Sequence, residues 1–196
     1  MCYKNKLQTV NSGLKAITGV MLIITCTMIP SSIILPQSDL SLSLIPLHSN
    51  WQIQGLFLTS LLCGPEIGMT CAISYMIIGL FYLPVFHGGG SIGYILTHEF
   101  GYLLGFIPAA WTCGYLSKKK SKATLINYSI YTVVSLSVLH LTGIIYLVFG
   151  KIFWKWTDNI SDLILANTII TIPSQVLLCL SISLISIIIK RLLILK

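Results

Sequence analysis

Of 196 residues, 55% are hydrophobic and only 9% charged; a soluble fold usually carries about 25% charge, so polar side chains are too few here to cover one. The net charge of +7 does not point to nucleic acid, because the lysines are few, sit at the ends of apolar runs and lack a basic aromatic face. At roughly 20 apolar residues per crossing, the chain reads as a single all-α membrane domain over residues 1–196, with about six spans and short loops.

Lys4, Lys6 and Lys15 ahead of an apolar run imitate a secretory signal, but no small-residue cleavage site follows. A retained first helix is therefore predicted over about 14–29. Residues 30–50 read as a loop, since Pro30, Pro36 and Pro46 resist helix. Its apolar Ile33–Leu35 and Leu40–Leu47 suit a loop packed on protein. The second span is short, about 51–63, and Gly64-Pro65-Glu66 turns into a third over about 67–83. Pro84 and Gly88-Gly89-Gly90 break the run before a fourth span over about 93–116. A fifth follows over about 123–149 and a sixth over about 163–189, interrupted by Pro173. Trp111, Trp154 and Trp156 fall near span ends, where aromatic rings anchor at the interface. The six cysteines (Cys2, Cys26, Cys63, Cys71, Cys113 and Cys179) form no CxxC pair. They read as small hydrophobes, with no spacing for zinc or a disulfide.

With the N-terminus on the cytoplasmic side, ten of the twelve cations fall on that side. They are Lys4, Lys6, Lys15, Lys118, Lys119, Lys120, Lys122, Lys190, Arg191 and Lys196, leaving Lys151 and Lys155 opposite. The positive-inside rule favours this orientation, which places both termini in the cytoplasm. The segments 30–50, 87–93 and 150–162 then face outward. Irregular backbone at membrane depth needs protein or a cavity around it, so a pocket should open on that side.

Several residues stand out within this frame. Gly88-Gly89-Gly90 leaves backbone N–H and C=O groups free for an amide-like ligand, or simply joins two spans; no phosphate-loop Lys-Ser/Thr follows. His98 and Glu99 lie at the start of the fourth run, and a carboxylate in a membrane is a functional candidate unless it sits at the interface. His140 reads as a hydrogen-bonded packing residue. Gln175, beside Pro173, offers both donor and acceptor, to another helix or to a ligand, with Asn167 two turns earlier on a similar face. Ser12, Gly13, Ala16 and Gly19 form a small-residue strip for close helix packing, inside the bundle or with a partner. No HExxH or Gly-x-Ser signature marks an enzyme, and no catalytic or metal-ligating residue is assigned.

The stretch Pro46–Leu116 resembles the BioY family, the biotin-capturing membrane subunits of energy-coupling-factor (ECF) transporters. The resemblance is carried by Trp51-Gln52, Leu62–Gly68, Tyr75–Gly79, Leu83–Phe86, Gly88–Gly90 with Tyr94, Phe100–Phe106, Ala109-Ala110 and Gly114. Outside it, Ile172–Gln175 adds to a matching hydrophobic pattern. The resemblance implies six helices in the S-component arrangement and biotin as ligand near the outer face under the first loop, which binding should order. It also implies no cofactor, a cell (inner) membrane location among lipid, and three partners: a coupling membrane protein and two cytoplasmic ATPases. This chain has no Walker motif. Candidate substrate-binding residues are Gly88, Gly89, Gly90, Tyr94, Gln175, Trp51, Tyr102 and Glu99. The chain departs from many members at Gly90, at His98-Glu99, and at Gln175 and Leu178, where they carry an Asp-x-x-Lys pattern. The biotin carboxylate is therefore met differently here, with Lys151, Lys155 and His87 as candidates. The alternatives are a subunit for another vitamin, or a membrane enzyme using Glu99 with His98 or His140.

Overall fold

The computed structural model describes residues 2–36, 42–119 and 124–194, with side chains described throughout except at 2–8, 33–36, 42–48 and 193–194. Helix α1 (Cys2–Thr27) leads into a hairpin of β1 (Pro30–Pro36) and β2 (Leu42–Asn50). Then come α2 (Gln52–Cys63), α3 (Pro65–Phe81), a 3-10 turn (Ile92–Leu96), α4 (Phe100–Leu104) and α5 (Phe106–Lys118). Helix α6 (Leu125–Phe153), α7 (Ile160–Ile164), a wide turn (Leu165–Ile169) and α8 (Ile172–Ile194) complete the chain. Counting α4–α5 and α7–α8 as one broken segment each, six helical segments form the bundle.

Among the described residues, three helical stretches are long and apolar enough to cross a membrane: Thr9–Thr27, Leu125–Phe153 and Ile160–Leu192. They carry the lipid-facing surface, with Leu14, Ile17 and Met21 of α1, Ile126 and Leu141 of α6, and Leu184 and Ile188 of α8 all exposed. At about 1.5 Å per residue, the 12-residue α2 is far short of the ~30 Å hydrocarbon core. It is instead the centre of the bundle, packed against α1, α3, α5 and α8. Leu56 and Phe57 meet Cys71, Ala72 and Tyr75 of α3, Ala109, Ala110 and Cys113 of α5, and Cys179 of α8 in one core. Cys71, Cys113 and Cys179 are buried small hydrophobes, Cys26 and Cys63 are half-buried, and all five are free thiols. Hydroxyls within the bundle bond back to their own helices, as Ser60 does to Leu56, Ser183 to Cys179 and Ser186 to Ile182. Polar groups at membrane depth are thereby satisfied inside one segment.

Three predicted elements need correction. Residues 30–50 are not an irregular loop but an antiparallel hairpin that pairs Pro30 with Asn50 and Leu35 with Ser43. The apolar–polar alternation of Leu42-Ser43-Leu44 carries the strand period. Pro46 is accommodated opposite Ser32, next to a register shift, since proline is tolerated at bulges and edges. Residues 37–41, and the side chains of the apolar runs expected to pack on protein, lie outside the described residues. The fourth span does not begin at 93: Ile92–Leu96 is a 3-10 turn and helix starts only at Phe100. That segment is broken again at Gly105, where Pro108 lacks the N–H that would bond the Leu104 carbonyl. The sixth span is likewise divided. Pro173 sits in the first turn of α8, where proline is tolerated, and the interruption is the wide turn before it.

The charge split has a structural counterpart. Lys118 lies over Gly64 at the α2–α3 turn, Lys15 shares a groove with Cys63, and the Lys190 amine donates to the Tyr128 hydroxyl at 2.7 Å. Lys120, Lys122 and Lys196, and the side chains of Lys4 and Lys6, lie outside the described residues. The small-residue strip divides: Gly19 packs inside the bundle, where a Cβ would come within 2.6 Å of Thr59 and Cys71, while Gly13 meets nothing within 4 Å.

Tyr75 ties the irregular end to this core. Its hydroxyl receives the Gln52 amide at 3.0 Å and donates to the Val85 carbonyl at 2.8 Å. Tyr75→Phe leaves two buried polar groups short of a partner, at a cost of about 1–3 kcal/mol. Its melting temperature in detergent is expected to fall below that of the unaltered chain.

Candidate functional site

One cavity of about 610 Å³ opens at the end of the bundle opposite the lysine-rich turn. Its floor and wall are apolar: Phe86, Leu103, Phe106, Leu139 and Ile53. Tyr75 buttresses this wall from behind, edge-on to Phe86 at 5.4 Å and stacked on Phe106 at 6.4 Å. Polar groups converge on it from six elements: Asn50 at the hairpin base, Gln52 of α2, Tyr94 of the 3-10 turn, Tyr102 of α4, His140 of α6 and Gln175 of α8. The wide turn before α8 also contributes. Asn167, Thr171 and Gln175, each four residues on, fall on one face and all line the cavity.

The glycine segment holds the mouth. Phe86 and Gly89 exchange both backbone hydrogen bonds, at 2.9 and 3.1 Å, closing a turn whose third residue, Gly88, has φ +96°. Only glycine adopts that backbone without strain, and Gly88 faces the cavity. Gly90 serves packing instead: a Cβ there would lie 2.6 Å from the Gly79 carbonyl and 2.7 Å from Pro84 Cα. The expectation that all three glycines leave backbone groups free is thus corrected at Gly89, whose N–H and C=O are both taken.

The mouth also holds the cavity's one formally charged group among the described residues, Glu99. The Tyr94 hydroxyl donates to its carboxylate at 2.6 Å, with the His87 carbonyl at 3.1 Å. Burial, and then the Glu99 hydrogen bond and charge, push the Tyr94 phenol well above its ordinary value, so it stays a donor. His98 turns away to Asp158 at 3.3 Å and packs edge-on to Trp156. Lys151 donates to the Asp158 carbonyl at 2.8 Å. Neither Lys151 nor Lys155 lines the cavity, whereas His87 does.

At the opposite, buried end, His140 Nε2 lies 2.7 Å from Gln175 Oε1. The Tyr102 ring packs edge-on to the imidazole at 5.7 Å and its hydroxyl pairs with Thr168 at 2.7 Å. Of the sequence candidates, the cavity gathers Gly88, Tyr94, Glu99, Tyr102 and Gln175 and leaves out Gly89, Gly90 and Trp51. Trp51 immediately precedes α2, and its N–H donates to the Ile29 carbonyl at 3.3 Å. Gln52, one residue on, points inward, and His140, read as a packing residue, is part of the lining. Of His98, Glu99 and His140, the last two line the cavity and His98 does not, and no metal-holding group of three acidic, His or Cys side chains occurs among the described residues.

Six helical segments around one end-opening cavity define a small membrane protein of the S-component fold. The chain superposes with a TM-score of 0.72 and 19% identity on the crystal structure of the S-component for biotin from an ECF-type ABC transporter, covering 94% of this chain and 93% of that one. A family model described as BioY family matches residues 4–194, and the chain belongs to the BioY family. It is 34% identical over 103 residues to a probable biotin transporter BioY of Lysinibacillus sphaericus, covering 53% of each chain. It is 29% identical over 113 residues to the biotin transporter BioY of Thermotoga maritima, covering 56% of this chain and 64% of that one. The chain thus spans about half to two-thirds of the length of these relatives.

Proposed function

We propose that this protein captures biotin in the end-opening cavity and hands it to partners for import. The observation that carries the reading is the lining itself, a ring of neutral amides and phenols over an aromatic floor within about 610 Å³. Small-molecule sites typically occupy roughly 300–1,000 Å³ and are mostly apolar with a few placed polar groups. Biotin has matching parts: an apolar thioether ring, a cyclic urea with donors and an acceptor, and an acidic tail. The urea belongs at the buried end with Gln175 and Tyr102, and the tail at the mouth with the Gly88 backbone and His87, beside the Tyr94–Glu99 pair. Gly90 supports the turn, and Trp51 anchors the hairpin base beside Gln52. Both termini face the cytoplasm in the cell membrane, so the cavity opens outward, and the hairpin folds over the occupied site. Transport is driven by a coupling membrane protein and two cytoplasmic ATPases, and the chain itself catalyses no reaction.

Calorimetry of the purified protein with biotin tests the reading, with saturation expected at micromolar biotin or below. No binding there, alongside binding of another vitamin, overturns the substrate. Glu99 gives a second expected result. It and the biotin tail are like charges sharing one mouth, screened because the mouth is wet. Glu99→Gln is therefore expected to tighten biotin by about threefold at neutral pH while leaving biotinamide unchanged. An equal change for both ligands contradicts this placement of the tail.

A further inference from the structure

Resting on the biotin reading, the geometry points to a positioning role for His140: it fixes which end of the Gln175 carboxamide meets the ligand, and so selects a ring carbonyl over a ring donor. Both side chains are more than nine-tenths buried, at 5% and 8% exposure, and both line the cavity. His140 Nε2 lies 2.7 Å from Gln175 Oε1, and a carboxamide oxygen only accepts hydrogen bonds. Nε2 therefore carries the imidazole proton. His140 Nδ1 is buried with no partner, which suits a lone pair better than an N–H, since orphaned buried N–H groups are the rarer kind.

This fixes the amide. Turning Gln175 over would set its NH2 against Nε2 and force the proton to Nδ1, where nothing accepts it. The imidazole is itself held by the Tyr102 ring, whose hydroxyl is committed to Thr168. The Gln175 oxygen is thus turned toward His140, which takes one of its two lone pairs, and the NH2 is the end turned away from His140 toward the ligand. A site offering donors pairs with a urea carbonyl. It leaves its donors facing donors when that carbonyl is replaced by the protonated imine of a cyclic guanidine, a mismatch that buried polar sites reject strongly.

Biotin and 2-iminobiotin, measured by calorimetry on the full chain in lipid nanodiscs, read this out. The unaltered protein is expected to favour biotin by about 100-fold or more. His140→Gln keeps a donor near the Gln175 oxygen and is expected to hold that ratio within about threefold. His140→Leu removes the donor without adding charge, frees the amide to turn, and is expected to narrow the ratio by about tenfold. Gln175→Glu replaces the donor with an acceptor and is expected to favour 2-iminobiotin, which keeps the question open if the leucine variant does not fold. A purely structural His140 weakens both ligands equally and leaves the ratio unchanged, which overturns the role. An unaltered chain that binds no biotin overturns the biotin reading and this inference with it.

Discussion

Gly114→Val is expected to stop the bundle assembling, so that the purified chain gives no monodisperse peak in detergent. Gly114 lies on α5 directly against the turn joining α2 and α3. Even a bare Cβ there would come within 2.6 Å of the Gly64 carbonyl carbon and Pro65 Cα, with the Pro65 nitrogen closer still. These are backbone atoms and cannot rotate aside as a side chain would. Overpacking a well-filled site costs about 1–3 kcal/mol when neighbours adjust, and here the neighbour is the start of a helix. Pushing α3 outward also moves Tyr75, and with it the links to Gln52 and Val85. Gly114→Ala is expected to fold with a clearly lowered melting temperature. Gly13→Ala, at a helical position with nothing within 4 Å, is expected to melt like the unaltered chain. A valine variant that elutes and melts normally contradicts the close approach of α3 and α5.

The helical segments were legible because long apolar runs and clustered lysines are written locally. The hairpin was less so. Its prolines argue against helix, but strand pairing depends on partners more than ten residues away, such as Ser32 with Pro46. The segment 93–99 misled because apolar residues look alike whether they cross a bilayer or cap a cavity. Tyr94 and Ile95 are only half-buried there. A signal for the break after α4 was present in Pro108, which deprives the Leu104 carbonyl of its bond.

At the site, polar residues singled out inside apolar runs meet at one cavity: Glu99 and Gln175 both line it, as does Asn167. What local sequence did not contain was register and distant pairing. Trp51 and Gln52 differ by one position, yet the start of α2 sends only Gln52 into the cavity. His140, flanked by Leu139 and Leu141, carries no local mark of its role. Its partner is 35 residues away in sequence. The three glycines read as equivalent, but a turn has distinct positions. Gly88 and Gly89 both hold a positive φ, Gly89 also closes the hydrogen bonds, and Gly90 allows the chain to pass Pro84 and Gly79.

Gln175→Leu is expected to weaken biotin by about 100-fold, measured by calorimetry, while leaving the fold intact. Leucine nearly matches the volume of glutamine, so the packing of α8 against α6 survives. The occupied site would lose two bonds at once: the ligand carbonyl has no donor, and the His140 Nε2–H has no acceptor. Each unsatisfied buried group costs about 1–3 kcal/mol, and about 2.7 kcal/mol corresponds to a factor of about 100. In the empty protein only the His140 loss is felt, and part of it is offset by burying a methyl group in place of an amide. Stability and affinity should therefore separate, with a melting temperature close to that of the unaltered chain beside a large loss of binding. Leu177→Ala, two positions on and exposed on the lipid-facing side, is expected to leave affinity unchanged. If Gln175→Leu binds biotin within about tenfold of the unaltered chain, the ring is held elsewhere. Gln52 and Asn50 then become the groups to replace, because they are the remaining neutral amides on the opposite wall.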